Sequence, residues 1–470
     1  MTDVLVVGAG PTGLFMAICL LRQGLTVRII DRALAPSDKS RAIAIQARTL
    51  EIFDQVGIVN HFLEKGLKLK AANAVANRKR IARVPFDHLD SPFPFILSLP
   101  QYDTEQILIE YLKFLGCKIE RGVELLSFVE KDKEIEATLS VGTARASWLI
   151  GCDGAHSTTR KCLAFAFEGR TFTQEFALAD VEIAWDFPHD EFTLFLSRDG
   201  ILAAIPLPEK GRYRVIFQQE PVLEVVENLL KRHAQPNVQV RNPRWITSFS
   251  INSRMTEQTI KGRVILAGDA AHIHSPAGGQ GMNTGFSDAY NLSWKLKYVH
   301  EGKAKHELLA TYDLERRNFG KKLLQATERA SKIAMLDNLI LVALRNFVFR
   351  HLTKHAYIQK KLASLISQIG LQYDTNVAIG AGGGKRAPNA NTEKGDLFQC
   401  MRTNPGFILM NNRDKILIPE AIPLTHDGWI YDSHYIYVIR PDSMIGCKSS
   451  NPKVIQEYFF GVFDIQKEKR

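Results

Sequence analysis

Residues 4–32 read VLVVGAGPTGLFMAICLLRQGLTVRIIDR: strand, glycine turn, helix, second strand. Val4 to Val7 form a continuous apolar run, as expected of a parallel strand covered on both faces. Gly8-x-Gly10-x-x-Gly13 follows at once, with Pro11 and Thr12 inside the turn. The first glycine permits the tight turn, the second lets a pyrophosphate approach the backbone, and the third allows close helix–strand contact. Leu14 to Leu21 supply the apolar face of a helix whose amino end would hold the phosphates. Gly24 closes it, and VRII leads to Asp31 and Arg32. An acid at Asp31 accepts hydrogen bonds from a ribose diol. This is a dinucleotide site, and Asp31 favours an unphosphorylated ribose: FAD or NAD rather than NADP.

Further along, SRAIAIQARTLEIF (40–53) turns from loop to helix and places Arg41 and Arg48 downstream of that acid. They would neutralise pyrophosphate, lie along a ring system, or be solvated helix charges. LIGCDGAHSTTR (149–160) repeats the strand-then-turn logic, with Asp153-Gly154 at the turn and Ser157 and Arg160 opening a helix. A carboxylate fixed there would hold a hydroxyl or order an arginine; the turn is also a common one. Between 166 and 262 the chain alternates apolar and polar residues around turns, the pattern of antiparallel strands with one wet face, with one clear helix at 222–233. RVILA then restores buried-strand composition and leads into GDAAHIHSPAGGQGMNTG (268–285). Met282, Phe286, Tyr290 and Trp294 mark one face of a helix running to about Val299. His272-x-His274 lacks a third ligand at suitable spacing, so no metal is expected. GAGGGK (380–385) lacks the phosphate-loop spacing, and no second G-x-G-x-x-G follows. That weighs against a separate nicotinamide domain.

The bulk numbers exclude other classes. With 470 residues and 45% hydrophobic content, two to four domains are expected. The formal charge of +10 is spread along the chain, its longest basic run being Arg78-Lys79-Arg80. No basic block is interleaved with aromatics as a nucleic-acid site would need. Six cysteines without C-x-x-C spacing argue for a reducing compartment. The chain opens directly on a strand, and LILVAL (339–344) is too short to span a bilayer before Arg345 interrupts it. A cytoplasmic protein with no membrane span is expected.

Taken together, VVGAGPTGL with Asp31-Arg32, the 40–51 segment, GCDGAHSTTR and GRVILAGDAAHIHSPAGGQGMNTG continuing to SDAYNLSWKL resemble the single-component FAD-dependent aromatic hydroxylases. GKRAPN and RPDSMIG are similar to the phenol and polyketide hydroxylase branch. The resemblance implies an α/β protein with a Rossmann-like FAD-binding domain, an inserted β-sheet substrate domain and a short, abbreviated thioredoxin-like C-terminal domain. In that division the FAD-binding domain takes 1–75, 101–165 and, with a helical region, 263–375. The substrate domain takes 76–100 and 166–262, and the C-terminal domain 376–470. Gly8, Gly10, Pro11, Thr12 and Gly13 would hold the pyrophosphate, and Asp31 with Arg32 the adenosine ribose. Arg41 and Gln101 would lie near the flavin, and Val123 near the adenine. Asp153 and Gly154 match a motif that contacts FAD and NAD(P)H. Asp269 would bind the ribityl chain or pyrophosphate, and Pro276, Gly279, Gly281, Met282 and Asn283 would border the isoalloxazine.

The implied reaction takes NAD(P)H as a transient co-substrate and O₂, and hydroxylates a phenolic or polycyclic aromatic molecule through a C4a-hydroperoxyflavin. Epoxidation, Baeyer–Villiger oxidation or reduction on the same scaffold is the alternative. No catalytic base is assigned, and a monomer or homodimer is expected. The chain departs from the branch in two places. The tail is shorter than the usual thioredoxin-like domain and lacks C-x-x-C, so it is read as structural. Ser443 and Met444 replace the usual glycine and aromatic after Arg440-Pro441-Asp442.

Overall fold

The computed structural model describes residues 2–37, 42–197, 200–273, 279–334, 336, 338–411, 418, 421–425 and 430–463. The chain begins with β1 (Thr2–Val7), α1 (Pro11–Arg22) and β2 (Val27–Asp31), the βαβ unit expected from its glycine turn. Val4, Leu5 and Val6 are fully buried, because helices cover one face of the sheet they enter and the antiparallel strands at 125–139 cover the other. After α2 (Ala47–Val56), the hairpin β3 (Ala71–Ala76) and β4 (Lys79–Pro85) leaves this layer. The crossing comes before the boundary drawn at residue 76, because β3 already pairs with the second sheet. Residues 96–98 return to pair with 44–45 and 67–69. Helix α3 (Gln101–Phe114), β5 (Ile119–Arg121) and β6 (Gly142–Gly151) follow.

The strands of a second sheet come next: β7 (Phe167–Ala184), β8 (Glu191–Leu196), β9 (Ile201–Pro206) and β10 (Arg212–Phe217), then α4 (Leu223–His233) and β11 (Gln239–Thr256). Strand β12 (Val264–Leu266) rejoins the first sheet, whose parallel order is β12-β6-β1-β2-β5. The second sheet runs β11-β7-β10-β9-β8-β3-β4, with residues 272–273 beyond β11. Its back face buries Val215, Phe217, Leu202 and Ala204 against Val226, Leu229 and Leu230 of α4. Four helices follow: α5 (Gly281–His300), α6 (Glu307–Ala334), α7 (Leu339–Leu352) and α8 (Ala356–Ile366). Helix α7 runs through Arg345 rather than ending there, because that guanidinium caps α6, donating to Ile333 O at 3.2 Å and Ala334 O at 2.8 Å. The C-terminal sheet has β13 (Phe407–Met410) parallel to β14 (Ala421–Leu424) and antiparallel to β15 (Ile436–Ile439). Strand β16 (Ile445–Ser449) and α9 (Pro452–Val462) complete a thioredoxin-like order of strands, β14-β13-β15-β16.

What ties this last sheet to the rest is a buried charge network. Glu315 of α6 accepts Lys295 Nζ from α5 at 2.8 Å and both Arg440 Nη atoms at 2.8 and 2.9 Å. Arg48 is fully enclosed, donating to Glu51 at 3.1 Å, Asp442 O at 3.0 Å and Ser443 Oγ at 2.9 Å. It is therefore neither a pyrophosphate ligand nor a solvated helix charge. Ser443 holds φ at +56°, a left-handed conformation that favours glycine. Its hydroxyl offsets that strain by accepting Arg48.

Burial opposes ionisation of Glu315, but Arg440 and Lys295 outweigh it and hold its carboxyl well below the usual range. Burial lowers Lys295 to about 8 against the pull of Glu315. Replacing Glu315 by Gln leaves two buried cations without their shared counter-charge, at a cost of about 3–5 kcal/mol. A depressed carboxyl stabilises the fold fully above its unfolded pKa, roughly 4.3, and loses that contribution as pH falls below it. Calorimetry of E315Q should show a lowered Tm at neutral pH and a flatter acid limb. An unchanged Tm would contradict this assignment.

Candidate functional site

The first turn assigns distinct work to its three glycines. Gly8 has φ +102°, and a Cβ there would strike the Cys152 carbonyl. One at Gly13 would overlap Gly8 O, so this pair sets how closely α1, β1 and the strand end at Cys152 pack. Around Gly10 nothing lies within 4 Å of a Cβ position, and the residue opens onto a cleft of about 230 Å³. Gly8, Gly10, Asp31, Arg32, Val123, Asp153 and Gly154 border that cleft. The Asp31 carboxylate accepts Ala9 N at 2.6 Å and Ala33 N at 2.7 Å, with Arg121 at 3.7 Å. These bonds aim it across the mouth of the turn. The Val123 N–H is committed to Asp31 O at 3.0 Å, so a base beside Val123 would meet other atoms of that residue. Cys152 is not a nucleophile here, since burial, Asp153 and Asp288 all push its thiol well up.

Asp153 is occupied within its own turn. It accepts Ser157 Oγ at 2.5 Å and both Thr159 N and Oγ1 at 3.0 Å, fixing the start of the short helix Thr158–Cys162. Gly154, at φ +75°, leaves its face open to the cleft. Arg160 lies over the Phe167 ring and donates to Ala270 O at 2.9 Å, linking this turn to the Gly268–Ala270 turn. Asp269 stands exposed at the centre of that second turn.

Beneath it lies Asp288 of α5, fully buried. It accepts Gly268 N at 2.9 Å, His272 Nε2 at 2.7 Å and Arg316 Nε at 2.6 Å. Burial opposes its ionisation, and His272 and Arg316 outweigh that and hold it far below the usual carboxylate range. His272 is thus a hydrogen-bond partner of an internal carboxylate. His274, Arg41 and Pro276 lie outside the described residues, and among those residues no group of three or more acidic, histidine or cysteine side chains is arranged for a metal.

Thr12 is the wedge that brings two helix starts together. Its hydroxyl occupies the space that side chains at Gly268 and Gly285 would need, so α1 meets α5 and the 268 turn at van der Waals distance. Thr12 therefore packs rather than points into the cleft. Helix α5 begins after Gln280 with no side-chain cap and no acid in its first turn. Its first intrahelical bond is Thr284 N to Gln280 O, leaving the N–H groups of Gly281, Met282 and Asn283 as the positive helix end. Nothing lies within 4 Å of a Cβ at Gly281, whereas Gly279, at φ +64°, is packed against Ala44. The Asn283 side chain is spent elsewhere: it accepts Gln46 N and Thr49 Oγ1 and donates to Ala44 O and Gly279 O. Only its backbone is available to a cofactor. The Gln101 side chain accepts Ala42 N at 3.3 Å and donates to Glu105 at 2.8 Å, setting the segment after Arg41.

Opposite this segment stands the front face of the second sheet. Register places Trp245, Asp180, Arg214, Ile205 and Phe192 in one row, and Thr247, Leu178, Ile216, Ala203 and Leu194 in the next. Residues directly opposite share a face. Arg214 pairs bidentately with Asp180 at 2.7 Å and donates to Ala42 O at 3.3 Å, so this face is turned toward the first domain. Ile205, Ile216, Ala203, Leu194 and Phe192 are only half-buried, in contrast with the closed back face. An uncapped helix end and a half-covered apolar wall thus converge on residues 42–45.

Residues 1–327 match a family described as an FAD binding domain. 6-Methylpretetramide 4-monooxygenase of Streptomyces rimosus is 35% identical over 417 residues, covering 85% of this chain and 74% of that one. The chain belongs to the FAD-dependent aromatic monooxygenases. Rifampicin monooxygenase of Streptomyces venezuelae is 33% identical, with 87% of each chain covered. The solved structure of OxyS anhydrotetracycline hydroxylase from Streptomyces rimosus superposes with a TM-score of 0.78 at 28% identity, covering 99% of both chains. The residues fit FAD: glycine faces without neighbours line the cleft, and neither α1 nor α5 carries a side-chain cap or an acid in its first turn.

Asp288, Arg316 and Arg214 are site-building residues that sequence reading passed over, and Arg160 was read only as opening a helix. The available signal for Asp288 was that it is the single acid in the helix Gly281–His300. In this monooxygenase Gly10→Val fills only open space, so the protein should fold while flavin retention falls at least about a hundredfold by fluorescence titration. Gly13→Val instead collides with Gly8 O and should yield unfolded protein. Equal flavin binding by G10V and the wild type would refute the division of labour.

Proposed function

We propose that this monooxygenase uses NAD(P)H and O₂ to hydroxylate a phenolic or polycyclic aromatic molecule in the cytoplasm. One observation carries the reading: the front face of the substrate sheet is apolar, half-covered and turned toward the start of α5. A flat, apolar substrate would complete its burial, at roughly 25 cal/mol per Å² of apolar surface covered. Relatives named for 6-methylpretetramide and rifampicin agree with a large polycyclic ligand.

The protein's own part is binding, orientation and exclusion of water. Backbone N–H groups at the start of α1, from Gly10 to Gly13, would hold the pyrophosphate, Asp31 the adenosine ribose and Asp269 the ribityl chain. Gly154 keeps the cleft open, while Asp153 holds its turn in shape. FAD, when bound, supplies the redox chemistry, accepting hydride from NAD(P)H and activating O₂. The N–H groups of Gly281, Met282 and Asn283 would stabilise negative charge on the flavin ring, and a positive helix end in a dry site does this with little reorganisation. Leu178, Ile216, Ala203 and Leu194 keep water from the reacting ring, which favours transfer of oxygen to substrate over release of peroxide.

The test is aerobic NADH and NADPH oxidation across a panel of phenols and polycyclic aromatics, with labelled O₂. One labelled oxygen atom in an aromatic product is expected. Protein that holds no flavin, or oxidation that no aromatic stimulates, would overturn the proposal. Ile216→Asp adds a charge to the front face without touching the nucleotide cleft. It should keep bound flavin, raise the KM for the aromatic about tenfold or more, and divert NAD(P)H electrons to peroxide. An unchanged KM would place the substrate elsewhere.

A further inference from the structure

Helix α7 is amphipathic in the wrong sense for a soluble protein. Its inner face places Arg345 in the interior and packs Phe349 on the Ala76–Ile81 cluster of the β3–β4 hairpin. Its outer face carries Ile340, Leu344 and Phe347, spaced i, i+4, i+7, at 76%, 56% and 61% exposure. Leu339 and, at the start of α8, Tyr357 are exposed as well, at 69% and 75%. A contiguous exposed patch of large apolar side chains marks an interaction surface.

Charge identifies what it meets. From Asn338 to Tyr373 there is no Asp or Glu, but there are five Lys and Arg: Arg345, Arg350, Lys354, Lys360 and Lys361. All except Arg345 are exposed. The run Arg78-Lys79-Arg80 adds to this border from the hairpin under α7. Arg78 is fastened to Lys231 O and Arg232 O at the end of α4, while Lys79 and Arg80 are exposed. A second copy of the chain would bring two cationic rims face to face, which disfavours a symmetric dimer here. An anionic lipid surface satisfies both features, taking the apolar strip into the acyl boundary and the rim onto headgroups. Among the described residues no helix is long and apolar enough to cross a membrane. We propose that the outer face of α7, with the start of α8 and the basic hairpin tip, seats the enzyme on an anionic membrane surface. Apolar aromatic substrates concentrate in that same interface.

The experiment is flotation of the flavin-loaded enzyme with phosphatidylcholine vesicles, with and without an equal part of phosphatidylglycerol. Binding to the anionic vesicles only, and release by high salt, is expected. Ile340→Asp with Phe347→Asp, and separately Arg350→Glu with Lys354→Glu, should each lower the bound fraction about tenfold or more. Both variants should keep bound flavin and NAD(P)H oxidation in vesicle-free buffer, which reads their folding independently of substrate identity. Wild-type enzyme that ignores anionic vesicles, or a double-aspartate variant that floats like the wild type, would overturn the proposal. So would a wild-type dimer in light scattering that the double-aspartate change makes monomeric, since the face would then belong to a second copy.

Discussion

Everything around the site leans on one buried carboxylate. Asp288 holds the Gly268 amide, the His272 ring and the Arg316 guanidinium at 2.6–2.9 Å, so a turn, a strand and a helix share a single anion. A buried charge is tolerable only when so fully paired, and once paired it fixes its neighbours' positions closely. The next residue to Arg316, Glu315, serves a second such node with Lys295 and Arg440. Two adjacent residues on α6 thereby connect the nucleotide-binding sheet to the C-terminal sheet. The start of α5, where the flavin ring is expected, lies on the same helix as Asp288 and Lys295. Its placement is inherited from both nodes.

The C-terminal unit is then more than an appendage. Arg440, Asp442 and Ser443 reach into the α2–α5–α6 junction, and Arg48 reaches back. Serine at 443 illustrates how a side chain supports a left-handed turn locally. The backbone keeps the left-handed turn, and the hydroxyl that glycine lacks becomes an acceptor for Arg48. This role needs a sheet edge and a buried arginine.

Much of the fold was legible because it is written in local patterns. The apolar run before Gly8, the glycine spacing and the acid at Asp31 are each consequences of neighbouring backbone atoms, and the βαβ unit follows. The helix from Gly281 to His300 and the alternating strands of the middle sheet are likewise periodic signals. The turns that border the cleft were legible, and what their side chains do was less so. Thr12 and the side chains of Asp153 and Asn283 sit where the pattern put them, yet they pack and tie loops instead of projecting into the cleft. For Arg48 the local pattern left open a phosphate, a ring system or solvent, and its buried partners at 442–443 lie far along the chain.

By itself, then, the amino-acid sequence indicated a dinucleotide site at a strand–glycine–helix turn, and which class of chemistry the chain resembles. These depend on residues close together in the chain, whose geometry is set by steric rules. Only the tertiary structure decided which polar side chains face the cleft and which are consumed in pairing, because partners such as Asp288 with Arg316, or Arg48 with Ser443, are far apart along the chain. It also decided that α7 shows its apolar side to the outside. Periodicity reveals that a helix has two faces; only packing against the β3–β4 hairpin says which one is covered.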